Sequence, residues 1–541
     1  MKMKFAEKTA STLHQVLIIV GMFIALFIVF LLSGCNDNND PGPVDDLPDL
    51  TGKSITYTLE SSSDSGVNGT VVFAETEANT TLVTFTINGG TTGDVHPVHI
   101  HQNSKAVGGG IEISLGEIDG STGKLIAEVS VKDDDSGITY DDLINYDGHI
   151  NIHASPSDLS TIVAYVDIGK NEITGQIEDY DLFGKNDPDL KGEVHIQERK
   201  SGEVLITVMI EGNAGPEDHP VHIHADNAVD GGSIVISLNA IDASTGMSKT
   251  HVSETDNGTE ISFNELKEFD GHVNVHKSET ELQTVILQGD IGQNKLTSEL
   301  KEYDLMAKTN DNISGKAWFT KRRNNETLIT ISLNNTPDGG SHPAHIHNNT
   351  AAEGGGIAID LTNVDGSSGK SLTNVSQLND GTSITFDELT EIDGYINVHL
   401  SQDQLQSIVA QGDVGQNVLT GNAETYNVSS INGSNISGTV TFYERLNETT
   451  LIEISLTGTS DPDSHPTHIH ENDVNIGGGI LIGLNPVNGA TGKSMTQVAF
   501  MDNDTPISYD ELITINGHLN VHWSSNDLSV VASGNVGDNA N

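Results

Sequence analysis

The chain of 541 residues contains a single cysteine, Cys35, so it can form neither an internal disulfide nor a metal site built on cysteine. Basic residues are scarce as well: 25 Lys and Arg stand against 77 Asp and Glu, a formal net charge of −52. That balance argues against binding nucleic acid or anionic headgroups through charge. The carboxylates are dense enough to hold Ca²⁺ weakly, although no acidic loop has EF-hand spacing. Familiar catalytic constellations are missing: there is no Gly-x-Ser-x-Gly elbow, no available cysteine nucleophile and no repeated carboxylate pair with a basic partner, which argues against an enzyme. Aromatics amount to 5% of the chain, whereas Gly (56), Thr, Ser, Asn and Asp are abundant and Val and Ile alternate with polar residues. This composition favours short strands joined by tight turns, and an all-β class.

Histidine is what the chain does have in concentration. The stretch HPVHIH, from His96 to His101, returns from His219, His342 and His465, each copy 123 residues after the last. A second stretch keeps the same step: GHINIH ends at His153, GHVNVH at His276, GYINVH at His399 and GHLNVH at His522. Of 22 histidines, 19 lie in these eight stretches. A period of 123 residues is the size of one compact domain, so the sequence predicts four tandem domains: residues 50–172, 173–295, 296–418 and 419–541. Almost no linker separates them, which predicts directly abutting units. Such a string also serves as a plain structural spacer.

Ahead of the repeats, Lys2, Lys4 and Lys8 precede an apolar run from Val16 to Leu32 and then Leu32-Ser33-Gly34-Cys35, which reads as a signal peptide over residues 1–34. Its end resembles the lipobox of bacterial lipoproteins, in which the cysteine is lipidated and becomes the mature N-terminus. The competing reading is an uncleaved membrane anchor, since 17 apolar residues is the lower limit for spanning a bilayer. Small residues before the only cysteine favour the lipoprotein. Residues 35–49 then carry the lipidated Cys35 and an acidic tether rich in Pro and Asn. The acidic start resembles the signal that sends some lipoproteins to the outer face, so the expected location is the bacterial outer membrane with a lean toward the cell surface.

Within a unit, strands begin at a regularly placed glycine (Gly69, Gly192, Gly315, Gly438). From Val98 the side chains alternate, so Val98 and Ile100 face the core and His99 and His101 the other side. The same parity puts Ile150 and Ile152 inward and His149, Asn151 and His153 outward. A glycine run (Gly108 to Gly110) follows the first stretch but lacks the Lys-Ser/Thr and helix of a phosphate loop. Segments such as ITYDDL predict a short helical turn capped by Ser or Thr. Each unit closes on GDIG or a relative at Asp167, Asp290, Asp413 and Asn535, read here as a turn device, and the repeated Tyr57, Tyr180, Tyr303 and Tyr426 are expected to pack.

The ordered set of HxHIH, glycine run with following apolar strand, TYDDL and NVH resembles the chordin-type (CHRD) domain over nearly all of residues 50–541, four times over. The resemblance implies an all-β, extracellular module, found in tandem in bacterial exported proteins. The closing GDIGQN departs from the Gly-Glu-Ile-Arg-Gly ending usual in that family. A more distant resemblance is to copper/zinc superoxide dismutase, a Greek-key β-sandwich whose copper is held by a His-x-His pair and a histidine of a later strand; it implies a comparable role for His99, His101 and His153. The disulfide, the zinc loop and the anion-positioning arginine of that enzyme are missing, which argues against dismutation. Each unit is thus expected to be a Greek-key-like β-sandwich.

If the two histidine faces adjoin, each unit holds about one copper or zinc ion, since neutral imidazoles suit both. The candidate ligands are His96, His99, His101 and His153; His219, His222, His224 and His276; His342, His345, His347 and His399; and His465, His468, His470 and His522. His149, His272 and His518 are accessory candidates, Tyr395 taking that place in the third unit. The competing expectation is that these histidines hydrogen-bond across a solvated sheet face. The sequence therefore predicts an exported, lipid-anchored binding or display array, with an unidentified extracellular or periplasmic ligand, or a copper or zinc protein of redox type. Replacing Cys35 by Ser is expected to move the protein from the membrane to the soluble fraction and abolish incorporation of labelled palmitate, as read by fractionation and metabolic labelling.

Overall fold

Alternating apolar residues, as in Ile-Glu-Ile-Ser-Leu at 111–115, lay one face of each strand on a core and leave the other polar. The computed structural model describes residues 47–62, 65–309, 312–460 and 463–540. The signal peptide, Cys35 and the tether up to residue 46 lie outside the described residues. Among the described residues no helix is long and apolar enough to cross a membrane.

In the first unit the strands are β1 (Leu50–Ser61), β2 (Asn68–Thr76), β3 (Thr81–Asn88), β4 (Val95–Gln102), β5 (Ile111–Asp119), β6 (Lys124–Val129), β7 (Asp147–Ser155) and β8 (Asp158–Gly169). A single helical turn, α1 (Tyr140–Leu143), precedes β7; Thr139 and Asp142 close it with a reciprocal capping box. The strands pair in the order β1-β2-β3-β6-β5-β4-β7-β8 and close on themselves. Two seams of this barrel are thin. β5 meets β6 only at Asp119 and Lys124, and β1 meets β8 only at Glu60–Tyr165 and Ser61–Ala164. The unit is therefore a flattened barrel of two four-stranded sheets, and β7 lying beside β4 makes the Greek key. The third and fourth units close in the same order, while in the second a lone bridge, Asp242 to Met247, stands at the first seam. The all-β tandem architecture expected from the sequence is thus present, with the sandwich closed at its edges.

Each unit has its own apolar core, in the first from Tyr57 through Phe73, Phe85, Val98 and Ile150 to Ile168. Tyr57 meets Phe73 edge to face at 5.2 Å, and burial pushes its hydroxyl up to about 12. The repeated strand-starting glycine is required by close approach: a Cβ on Gly69 would stand 2.1 Å from the Thr86 carbonyl oxygen.

Only residues 170–172 lie between β8 and β9 (Ile173–Gly184), and they are bonded to the next unit's hairpin through Lys200 N–H to Glu172 O and Ser201 N–H to Lys170 O, each 2.9 Å. Beside them sits a buried ion pair. Arg199 is wholly buried, and its Nη1 donates to Asp167 Oδ2 at 2.8 Å and to the Asn171 carbonyl. Arg322 repeats this on Asp290 (2.6 Å) and Arg445 on Asp413 (2.8 Å). The Asp positions read as turn devices are therefore clasps between units. The matching arginine position in the first unit is Thr76, and the matching carboxylate in the fourth is the amide Asn535. At each of the three junctions a buried charge on one unit meets its counter-charge on the next, because an unpaired buried charge is costly. Removing the Arg322 side chain (Arg322→Ala) is expected to cost about 3–5 kcal/mol at the second junction, measured by denaturant unfolding, with Asp290→Asn destabilising in the same direction.

Candidate metal centre

The pairing of β4 with β7 builds the site. Antiparallel register sets Val98 against Ile152 and Ile100 against Ile150 in the core, and His99 against Asn151 and His101 against His149 on the other face. Register shifts between Ile100 and His101 toward β5, and between Ile152 and His153 toward β8, mark bulges that turn the imidazoles together. All four units repeat the bulges at the equivalent histidines.

Three rings converge in each unit. In the first, His99 stands 4.9 Å from His153 between ring centres, His101 5.9 Å from His153 and His99 6.0 Å from His101. One nitrogen from each of His99, His101 and His153 lies within 4.8 Å of the others, and the same holds for His222, His224 and His276, for His345, His347 and His399, and for His468, His470 and His522. In the first unit the face is largely buried: His101 is 8% and His153 4% exposed, because the 103–110 loop and the β7–β8 hairpin cover it, whereas His224, His347 and His470 are half-buried.

Hydrogen bonds to that cover set the tautomers. His101 Nδ1–H donates to the Gly109 carbonyl at 3.0 Å, which leaves the Nε2 lone pair free. His224, His347 and His470 do the same with Gly232, Gly355 and Gly478. His522 Nδ1–H donates to Leu528 O at 2.7 Å; the carbonyls of Leu159, Leu282 and Leu405 lie beside His153, His276 and His399 outside hydrogen-bonding geometry. Nδ1 of His99, Nε2 of His101 and Nε2 of His153, and their counterparts, are buried without a partner in every unit, as is Nε2 of His96 and its counterparts. Burial holds the pKa of His99, His222, His345 and His468 below its ordinary value, and neighbouring histidines add to the depression in each unit. His153, His276 and His399 are lowered by burial as well. These rings are therefore neutral at pH 7, the form that ligates a metal.

The remaining candidates are not brought into the triads. His96, His219, His342 and His465 share the parity of Val98 and Ile100 and so leave the ligand face. Each instead presents Nδ1 to a backbone carbonyl at the end of the second histidine strand, His96 to His153 O at 3.0 Å, His219 to Lys277 O at 2.8 Å, and His342 and His465 to His399 O and His522 O at 3.2 and 3.1 Å. That contact ties the third ligand's backbone to β4. His149, His272 and His518 stack on the middle histidine, at 5.1, 5.0 and 5.3 Å, and give Nδ1–H to the carbonyls of Asn103, Asp226 and Asn472. Tyr395 stacks identically on His347, at 5.0 Å, so the position needs a flat ring rather than a ligating nitrogen. Asp167 also belongs to the support, since its Oδ1 accepts the Lys105 N–H of the covering loop at 2.6 Å. Aligning the four repeats exposes this role, because Asn535 keeps the bond, to Val474 N–H at 2.8 Å, where no arginine follows.

No family model matches the chain, nor does any curated protein. Among solved structures it is similar to a tetra-tandem repeat from the extending region of a large adhesion protein, at 10% identity over 85% of this chain and 96% of that one, with a TM-score of 0.11. It is also similar to the BSP domain of a biofilm associated protein, at 9% identity over 93% of this chain and 100% of that one, with a TM-score of 0.12. At TM-scores this low neither likeness bears on the architecture of a unit. The stacked position generates its own test: His149→Tyr is expected to leave thermal stability nearly unchanged, whereas His149→Ala leaves a cavity beside His101 and lowers stability by about 2 kcal/mol, as read by thermal melting.

Proposed function

We propose that the chain is an exported, lipid-anchored array of four CHRD-like modules, each binding one copper or zinc ion at its histidine triad. The observation that carries this reading is the set of three buried, unpartnered ring nitrogens that converges in every unit. Leaving a buried acceptor unsatisfied costs about 1–3 kcal/mol each, and unlike the single Nε2 of His96 and its counterparts, those of the triad belong to three rings gathered at one spot. An ion satisfies all three at once. Their nitrogens lie within 4.8 Å of one another, against the roughly 4 Å that two nitrogens on one ion span. Backbone carbonyls already hold the Nδ1 protons of the middle histidines, the arrangement that fixes metal-binding tautomers.

Three protein nitrogens leave a coordination position open, which suits an exchangeable ligand and a binding or display role. A superoxide anion, by contrast, approaches a chain of net charge −52 against its field, which disfavours a dismutase. Placement at the outer membrane belongs to this proposal and rests on Cys35 and the preceding apolar run. A structural spacer is the second reading, favoured by the clasped junctions between units.

Protein stripped with chelator, dialysed against Cu²⁺ or Zn²⁺ and then against metal-free buffer is expected to retain four ions per chain by elemental analysis. His345→Ala is expected to retain three. A chain that retains no stoichiometric metal overturns the metal reading and leaves the spacer.

A further inference from the structure

The half-buried outer histidine of each triad, His99 in the first unit, keeps its Nδ1 buried without a partner. Across the ladder from this histidine lies a position on the neighbouring strand: Ser114 opposite His99, Ser237 opposite His222, Asp360 opposite His345 and Gly483 opposite His468. A loop residue is bonded to that position in every unit. Ser114 N–H and Oγ donate to Asp133 at 2.9 and 2.8 Å, and Ser237 N–H and Oγ to Asp256 at 2.8 and 2.7 Å. Gly483 N–H donates to Asp502 at 2.8 Å.

The third unit reverses the pair. Asp360 occupies the strand position and Asn379 the loop position, with Asp360 N–H donating to Asn379 Oδ1 at 3.0 Å and Asn379 Nδ2 to Asp360 Oδ2 at 3.1 Å. The backbone bond is kept while the charge changes sides. In this unit the carboxylate lies 3.7 Å from His345 Nε2. The pairs therefore read Ser/Asp, Ser/Asp, Asp/Asn and Gly/Asp: each has one carboxylate, on either of two positions. If the acid served only to anchor the loop, Asn379 shows that an amide makes the same backbone bond, and no acid need have moved to position 360.

We infer that this carboxylate is a positioning residue for the metal, lying on the Nε2 side of the outer histidine, at 3.7 Å in the third unit, and favouring the orientation in which the Nδ1 lone pair faces the ion. It stands outside the three converging groups and is not itself a ligand. The contact is direct in the third unit, and in the others the carboxylate is held beside the outer histidine by its bond to the residue paired with it across the ladder. A carboxylate bonded to the far nitrogen of a ligating imidazole raises its basicity and lowers the net charge of a divalent site. The inference rests on the metal reading above.

The test uses the full chain with three triads disabled by His101→Ala, His224→Ala and His470→Ala, so that only the third unit binds. Melting curves verify folding, and affinity for Cu²⁺ is measured by competition with a chromogenic chelator. Asp360→Ser is expected to weaken binding by about 10–100-fold. Adding Asn379→Asp, which recreates the Ser/Asp pairing of the first two units, is expected to restore the affinity to within about threefold of the parent and the paramagnetic spectrum of bound Cu²⁺ with it. Unchanged affinity in Asp360→Ser, or no recovery in the double variant at equal melting temperature, overturns the inference while leaving the metal reading intact. A parent that binds no Cu²⁺ removes both. If the third-unit variants do not fold, the reverse exchange in the first unit, Asp133→Asn followed by Ser114→Asp, is read in the same way with the third triad disabled instead.

Discussion

The ladder between β4 and β7 is the constraint on which the rest of each unit depends. One antiparallel register does two things at once, because alternate residues of a strand face opposite ways. It buries Val98, Ile100, Ile150 and Ile152 in the core and sets His99, His101, His149 and His153 together on the reverse face. A slip of one residue would turn the histidines into the core and the aliphatics out. The hydrophobic effect that holds the barrel closed therefore also fixes the histidine register, and the bulges beside His101 and His153 convert adjacency into convergence.

The polar face is costly, and the structure manages the cost by covering it with backbone. The 103–110 loop supplies carbonyls to His101 and His149 and is itself held by Asp167. Asp167 in turn receives Arg199 of the next unit. Junction and histidine site thus share one carboxylate, Asp167, Asp290 or Asp413, so the packing of successive units and the cover of each triad are mechanically linked. The fourth unit keeps the cover without the clasp by using the amide of Asn535. The four cores remain separate, which makes the chain a row of small domains joined at buried polar hinges rather than a continuous solenoid.

Much of this was legible in residue order. Alternation around HPVHIH and GHINIH separates core from histidine face, the spacing of 123 residues marks the repeats, and ITYDDL marks the capped turn. His96 was expected among the ligands with the other histidines of HPVHIH, and the structure leaves it outside the triad. The carboxylates Asp133, Asp256, Asp360 and Asp502 were not legible, since they occupy two unrelated places in the repeat and only the pairing opposite the outer histidine relates them.

By itself the sequence determined the β class, the number of units, the inward and outward faces of each strand and the chemical type of the candidate site, because these follow from period, composition and parity. Tertiary structure decided which strands are neighbours, which histidines converge, that their face is covered, and that Asp167 and its counterparts join units instead of shaping turns. Those properties depend on pairing between separate segments of the chain, 32 residues apart for Asp167 and Arg199 and 57 for His96 and His153, and alternation along a strand gives a side chain's direction without naming what stands opposite it.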